Sequence, residues 1–285
     1  MKKVFILLSL ATVLSCTKES TVNGPPTTDN VADTIYKNLV YGYKDKQNFD
    51  LYLPAHRSDT TPVIILIHGG GWHEGDKNDL AFFAQIFQGL GFAVANINYR
   101  LSPQSDDNFK MQLDDIESIV NLLLKNSGKY IFSKDRFYIT GHSAGAHLSL
   151  SFAYTRNSTK IIKAAAGMAT PTNLYYMAYY NPVLFESLLT PYLGVPLSST
   201  TEARYKTASP YFQATATSVP TILFQGDLDV IISKDQANMM KSKLDELGVE
   251  NKLIIYPFIF HDWWSNFDLV KNTVAETITW FNVHR

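Results

Sequence analysis

The chain has 285 residues, 46% of them hydrophobic and 18% charged, with a formal charge of −1. That much apolar material over one or two domains' length excludes disorder of the whole chain, and the near-neutral balance offers no basic field for nucleic acid, whose binding rests on many phosphate contacts. The single cysteine, Cys16, excludes an internal disulfide framework, a thiolate zinc cluster and a CxxC redox pair.

Residues 1–15 have a basic start (Lys2, Lys3), an apolar run from Val4 to Leu14 and a small residue before Cys16, the pattern of a secretory signal. Eleven apolar residues are too few to span a bilayer, which takes about 20 in a helix. Val13-Leu14-Ser15-Cys16 resembles a bacterial lipobox. The resemblance implies cleavage before Cys16, a lipid on that cysteine, and an exported lipoprotein on the periplasmic face or at the cell surface. Residues 16–33 contain Pro25-Pro26, several threonines and no aromatic residue. This is linker composition, expected to be a flexible tether.

Residues 34–285 are expected to form one domain. Short β-rich runs at 35–43 and 48–53 come first. Val63-Ile64-Ile65-Leu66-Ile67 is apolar without alternation, as suits a strand buried on both faces of a parallel sheet. Similar runs follow at 92–97, 137–140, 161–166, 221–224 and 253–256. Helical patterns separate them at 79–90, 109–124, 144–154, 234–247 and 267–281. Such alternation predicts the α/β class with a doubly wound, mostly parallel sheet.

Two motifs carry chemistry. Gly141-His142-Ser143-Ala144-Gly145 fits G-x-S-x-G between a strand-like run and a helical one. Serine on a sharp strand-to-helix turn presents its hydroxyl above the sheet edge, where the helix N-terminus favours developing negative charge. His68-Gly69-Gly70-Gly71-Trp72 follows the buried 63–67 run. Consecutive glycines let amides curl into a cavity and hold the oxyanion of an acyl-transfer intermediate. No Gly-Lys-Ser/Thr follows, so a phosphate-cradling loop is disfavoured. A plain glycine-rich turn is the bland alternative.

Together with Asn98-Tyr99-Arg100-Leu101-Ser102-Pro103, these segments resemble an α/β hydrolase of the HGGG type over roughly residues 50–261. The resemblance is to small carboxylesterases, including feruloyl/acetyl-xylan esterase-like and kynurenine formamidase-like enzymes. Relatives of hormone-sensitive lipase usually carry Asp where His142 stands, which moves this chain away from them. The resemblance implies the chain order nucleophile, acid, histidine. Asp227 and Asp229 compete for the acid, and the family's G-x-x-D followed by an apolar pair matches Asp229 with Val230-Ile231. Of seven histidines, His261 alone lies where a loop at the sheet's carboxyl edge belongs, just before the last helix. His68 is expected to shape the glycine loop. The expected machinery is therefore Ser143, Asp229 and His261, with an oxyanion hole from the amides of Gly70, Gly71 and Ala144.

The resemblance also implies a cap insertion at about 171–206, rich in aromatic residues: Tyr175, Tyr176, Tyr179, Tyr180, Phe185, Tyr192 and Tyr205. These line an aromatic or sugar-binding pocket or, for most of them, pack the cap onto the core. Trp263-Trp264 either shields the imidazole or packs the last helix. Tyr99-Arg100 is expected to support the fold, and Asp114-Asp115 to be a solvated or capping pair on a helix. No metal ligand set and no cofactor are expected. The expected function is a serine carboxylic-ester hydrolase for small esters or the acetyl or feruloyl decorations of polysaccharides, touching membrane only through its anchor. An arylformamidase cleaving N-formylkynurenine and a non-catalytic glycan-binding lipoprotein are the alternatives.

Overall fold

A computed structural model describes residues 31–262 and 266–285. The secretory signal, Cys16, most of the tether and Trp263-Trp264 lie outside the described residues. Strands β1 (Thr34–Val40), β2 (Asn48–Leu53), β3 (Val63–Ile67), β4 (Ala93–Ile97), β5 (Phe137–His142), β6 (Ile162–Met168), β7 (Thr221–Gly226) and β8 (Asn251–Tyr256) form one sheet in the order β1-β2-β4-β3-β5-β6-β7-β8. The first two strands run antiparallel to their neighbours, and from β4 to β8 every pairing is parallel. This is the doubly wound, mostly parallel sheet expected from the alternation.

The unbroken apolar run of β3 has a direct cause. Val63, Ile65 and Ile67 face one core and Ile64 and Leu66 the other, all with no solvent exposure. Each such side chain contributes roughly 1.5–3 kcal/mol by leaving water. Helices α1 (Ala81–Gly89) and α9 (Phe267–Val283) cover the second core through Phe83, Phe87, Val274 and Phe281. Helices α2 (Asn108–Tyr130), α3 (Ala144–Thr155) and α8 (Lys234–Glu246) cover the first through Ile116, Ile119, Leu148, Phe152, Met240 and Leu244. Between β6 and β7 lie four short helices: α4 (Leu174–Tyr180), α5 (Pro182–Leu193), α6 (Glu202–Thr207) and α7 (Pro210–Gln213).

Two boundaries differ instructively from the sequence pattern. The helical pattern of 109–124 stops short of the helix, for α2 continues to Tyr130, whose ring packs edge-on against Tyr36 and stacks on Phe132. Strand β5 runs two residues into the serine motif, because Gly141 and His142 still pair with Gly167 and Met168 of β6.

Asp115 corrects an expectation. Asp114 is half exposed and meets Lys110 at 2.6 Å, but Asp115 is buried. Its Oδ1 accepts from Arg100 Nη2 at 2.7 Å and from Gln47 Nε2 at 2.9 Å, while Oδ2 accepts the Arg100 backbone amide at 2.8 Å. One carboxylate therefore fastens the loop after β4 to α2 and to the loop before β2. Truncation strands a partly buried guanidinium, a loss of about 3 kcal/mol for pairs of this kind. We expect Asp115→Ala to lower unfolding stability by that amount in a urea titration; a change under about 1 kcal/mol would show the pair to be dispensable.

Candidate active site

The parallel strands all deliver their following loops to one edge of the sheet, where ligands bind in open α/β folds. β3 delivers the glycine loop, β5 delivers Ser143, β7 delivers Asp227 and Asp229, and β8 delivers His261.

Ser143 sits between β5 and α3 at φ 52°, ψ −121°, a conformation that residues with a side chain rarely adopt. Its flanks explain how the chain reaches it. A Cβ on Gly145 would lie 2.1 Å from the Ile67 carbonyl oxygen, and one on Gly141 would lie 2.5 Å from the same atom. Only glycine lets the turn cross so close to the end of β3. The Ser143 amide is held by the Met168 carbonyl at 2.8 Å, so the strained backbone is anchored.

The Ser143 hydroxyl donates to His261 Nε2 at 3.1 Å, and His261 Nδ1–H donates to Asp229 Oδ2 at 2.8 Å. A carboxylate only accepts, which fixes the imidazole tautomer with Nε2 free to take a proton. The Asp229 carboxylate is itself held from three sides. Oδ1 accepts the Ile231 and Ile232 amides at 2.9 and 2.8 Å, and Oδ2 accepts Gln225 Nε2 at 3.2 Å. Asp227 takes a different place, its Oδ1 accepting the Phe258 amide at 2.6 Å in the loop after β8. The two carboxylates thus separate cleanly, with only Asp229 reaching the imidazole.

Gly70 and Gly71 take φ of +103° and +53°, left-handed values that glycine adopts without strain. Among the described residues, the amides of Gly70, Gly71 and Ala144 donate to no acceptor. All three residues line one cavity of about 370 Å³ with Ser143 and His261, walled on its apolar side by Met177, Phe185, Leu188 and Ile231. Ala144 opens α3, so its amide carries the positive end of that helix. A smaller hollow of about 190 Å³ shares Met177, Phe185 and Ile231 and adds Tyr176, Tyr180 and Asp235. Tyr192 and Tyr205 are instead fully buried. No group of three or more His, Cys, Asp or Glu side chains among the described residues is arranged to hold a metal.

Three histidines around the site have structural partners. His68 Nδ1–H donates to the Gly69 carbonyl at 2.7 Å and stacks on Tyr99, whose hydroxyl donates to the His68 carbonyl at 3.1 Å. His142 Nε2–H donates to the His261 carbonyl at 3.0 Å, fixing the backbone beneath the imidazole. His147 is bonded at both ring nitrogens. The sequence set His142 and His147 aside because they sit too close to Ser143 to act as its base. The spacing of His147 one helical turn after Ser143 was the available sign that it lies under the site.

Burial pushes all three imidazoles down, His68 and His147 to about 4 and His142 to about 3, the last lowered further by His261. Unfolded histidine binds its proton near 6.5. Below that pH the unfolded chain takes up protons that the folded chain refuses, so stability is lost as pH falls from about 6.5 towards 4. We expect these groups to cost on the order of 1–2 kcal/mol each between pH 7 and 5. Urea midpoints measured across that range report it, and a flat profile would refute it.

The sheet, the strand-to-helix turn at Ser143 and the loop positions define the α/β-hydrolase class. Within it, the chain belongs to the BD-FAE family, an esterase-type group whose model matches residues 49–244. Among characterised relatives, isoprenylcysteine alpha-carbonyl methylesterase of Arabidopsis thaliana is 25% identical over 238 residues, 78% of this chain and 55% of that protein. The chain spans about half the length of the plant methylesterase. Kynurenine formamidase of Meyerozyma guilliermondii is 28% identical over 214 residues, 74% of this chain and 75% of the enzyme. Among solved structures, a truncated carbohydrate esterase from gut microbiota superposes with a TM-score of 0.76 at 20% identity, covering 89% of this chain and 98% of that one. Esterase B of Lactobacillus rhamnosis gives 0.74 at 21% identity, covering 88% and 87%. At that identity these two structures share the fold.

Proposed function

We propose that this hydrolase cleaves carboxylic esters through an acyl-serine intermediate. The observation that carries this reading is the hydrogen-bonded line from Asp229 through His261 to Ser143, ending in a cavity with three unclaimed amides. Ser143 Oγ attacks the ester carbonyl as His261 Nε2 takes its proton. The tetrahedral oxyanion is held by the amides of Gly70, Gly71 and Ala144. His261 then protonates the leaving alcohol, and water attacks the acyl-serine by the same route in reverse. Asp229 keeps Nδ1 protonated and faces the imidazolium that forms.

Small esters or the acyl decorations of polysaccharides are the proposed substrates. The apolar wall of Met177, Phe185, Leu188 and Ile231 suits a short acyl or aryl group, and the hollow flanked by Tyr176 and Tyr180 suits the rest of a larger substrate. Export and lipidation at Cys16 belong to the same proposal and rest on residues 1–16 alone.

The similarity to kynurenine formamidase over most of both chains supports a second reading, hydrolysis of an aryl formamide. Rates on acetylated xylan, a methyl hydroxycinnamate and N-formylkynurenine separate the two, with one of the esters expected to be fastest. A fluorophosphonate probe should label Ser143. Folded protein that takes no label and turns over no ester would be a glycan-binding scaffold instead.

A further inference from the structure

Trp72, the residue directly after the glycine loop, is fully buried and stacks on Tyr192 with ring centroids 4.5 Å apart. Its Nε1–H donates to His147 Nδ1 at 3.1 Å. The opposite ring nitrogen, His147 Nε2, donates to the Ala208 carbonyl at 2.7 Å. A carbonyl only accepts and an indole N–H only donates, so the two bonds are made together only by the neutral tautomer protonated at Nε2. His147 has no solvent exposure, and its own amide donates to the Ser143 carbonyl at 3.0 Å.

The imidazole therefore ties together the loop holding Gly70 and Gly71, the helix that begins at Ala144, and the turn between α6 and α7. The first two supply the amides assigned above to the oxyanion, and they come from separate segments of the chain. Backbone packing of Gly145 on Ile67 and His68 brings the two together at the end of β3, and beyond it their spacing is set by side chains that touch both. Apart from that bond and the stacking on Tyr192, Trp72 is held through its carbonyl, which accepts the Ser102 amide and Gln112 Nε2, each at 2.9 Å. The indole N–H is the one side-chain bond described that runs from this loop to α3.

We infer that His147 is a positioning residue: through its bond to Trp72 it sets the oxyanion amides of Gly70 and Gly71 against that of Ala144. The inference rests on the acyl-enzyme reading above. An error of about 1 Å in such a site costs on the order of 10²-fold in rate, and an interaction made only in the transition state shows in kcat rather than in KM.

Two substitutions divide the imidazole into its halves. His147→Asn places an amide oxygen near the Nδ1 position and keeps an acceptor for Trp72, while losing the donor to Ala208. His147→Gln places an amide nitrogen near the Nε2 position and keeps the donor to Ala208, while losing the acceptor for Trp72. Trp72→Phe removes the indole N–H and leaves His147 intact, so the inference stays testable if either His147 variant fails to fold. Steady-state kinetics on p-nitrophenyl acetate are measured beside melting temperatures for folded protein.

We expect His147→Gln and Trp72→Phe each to lower kcat by about 10–100-fold with KM within about twofold. His147→Asn should restore most of the loss, and the double variant Trp72→Phe/His147→Gln should be no slower than the slower single one, because both remove the same bond. Equal kcat in His147→Asn and His147→Gln, or a fall in melting temperature with kcat unchanged in Trp72→Phe, would overturn the inference while leaving the hydrolase reading in place. A wild-type protein that neither turns over ester nor takes a fluorophosphonate label would overturn both.

Discussion

Ser143→Ala is expected to lower kcat for p-nitrophenyl acetate by about 10⁶-fold while the protein remains folded. The scale follows from how the three groups act as a unit. His261 Nε2 has nothing to deprotonate once Oγ is gone, so Asp229 loses its purpose in the same step. What remains is water attacking a carbonyl polarised by the amides of Gly70, Gly71 and Ala144, worth roughly 10³–10⁴ over the uncatalysed rate in comparable triads. The fold should tolerate the change. Alanine meets the same backbone strain at φ 52° as serine, the amide keeps its bond to Met168, and the lost hydroxyl faces the cavity. Its effect on stability should stay within about 1 kcal/mol. Purified Ser143→Ala that keeps more than about 1% of wild-type turnover would remove Ser143 from the nucleophile's role.

What could be read from the sequence depended on whether a signal was local. The five apolar residues of β3 announced a strand buried on both faces because no polar residue interrupts them, and both cores claim them. Gly141 and Gly145 announced a tight turn because only close approach to other backbone requires both glycines. Asp115 was misread although a local sign existed. It falls on the stripe of α2 that buries Gln112, Ile116 and Ile119, and a carboxylate there needs a partner. Charge alone suggested solvent, whereas position on the helix shows burial. The partner, Arg100, lies on another element, and no pattern within α2 could name it.

The roles of His142 and His147 were out of reach for the same reason. Each was judged as a possible base and excluded by its nearness to Ser143. Their actual partners, the His261 carbonyl, Trp72 and Ala208, are brought in by chain crossings of 61 to 119 residues. The sheet order that produces those crossings is a property of the whole fold. Sequence reading therefore reached the side chains that stand in a recognisable motif and missed the bonds of those whose partners lie on distant segments.

The choice between Asp227 and Asp229 tests that distinction most sharply, because only Leu228 separates the two and they differ in what they touch. Asp229→Asn is expected to cost about 10⁴-fold in kcat, as when the corresponding carboxylate of other triads becomes an amide. The surroundings of Asp229 give the reason. Its Oδ1 accepts two amides, from Ile231 and Ile232, so the single oxygen of asparagine is drawn to that position. The NH₂ group must then occupy the Oδ2 position, facing His261 Nδ1 and the donating amide of Gln225. A donor facing Nδ1 makes that nitrogen the acceptor and moves the imidazole proton to Nε2, where it blocks removal of the serine proton. Asp227→Asn keeps an oxygen for the Phe258 amide and touches no part of the line to Ser143. Its kcat should stay within about tenfold of wild type, with any loss arising from the loop after β8. Measuring both variants on one ester under identical conditions decides the matter. An Asp227→Asn variant slower than Asp229→Asn would reassign the acid, and two variants equally close to wild type would mean that His261 needs no carboxylate to orient it.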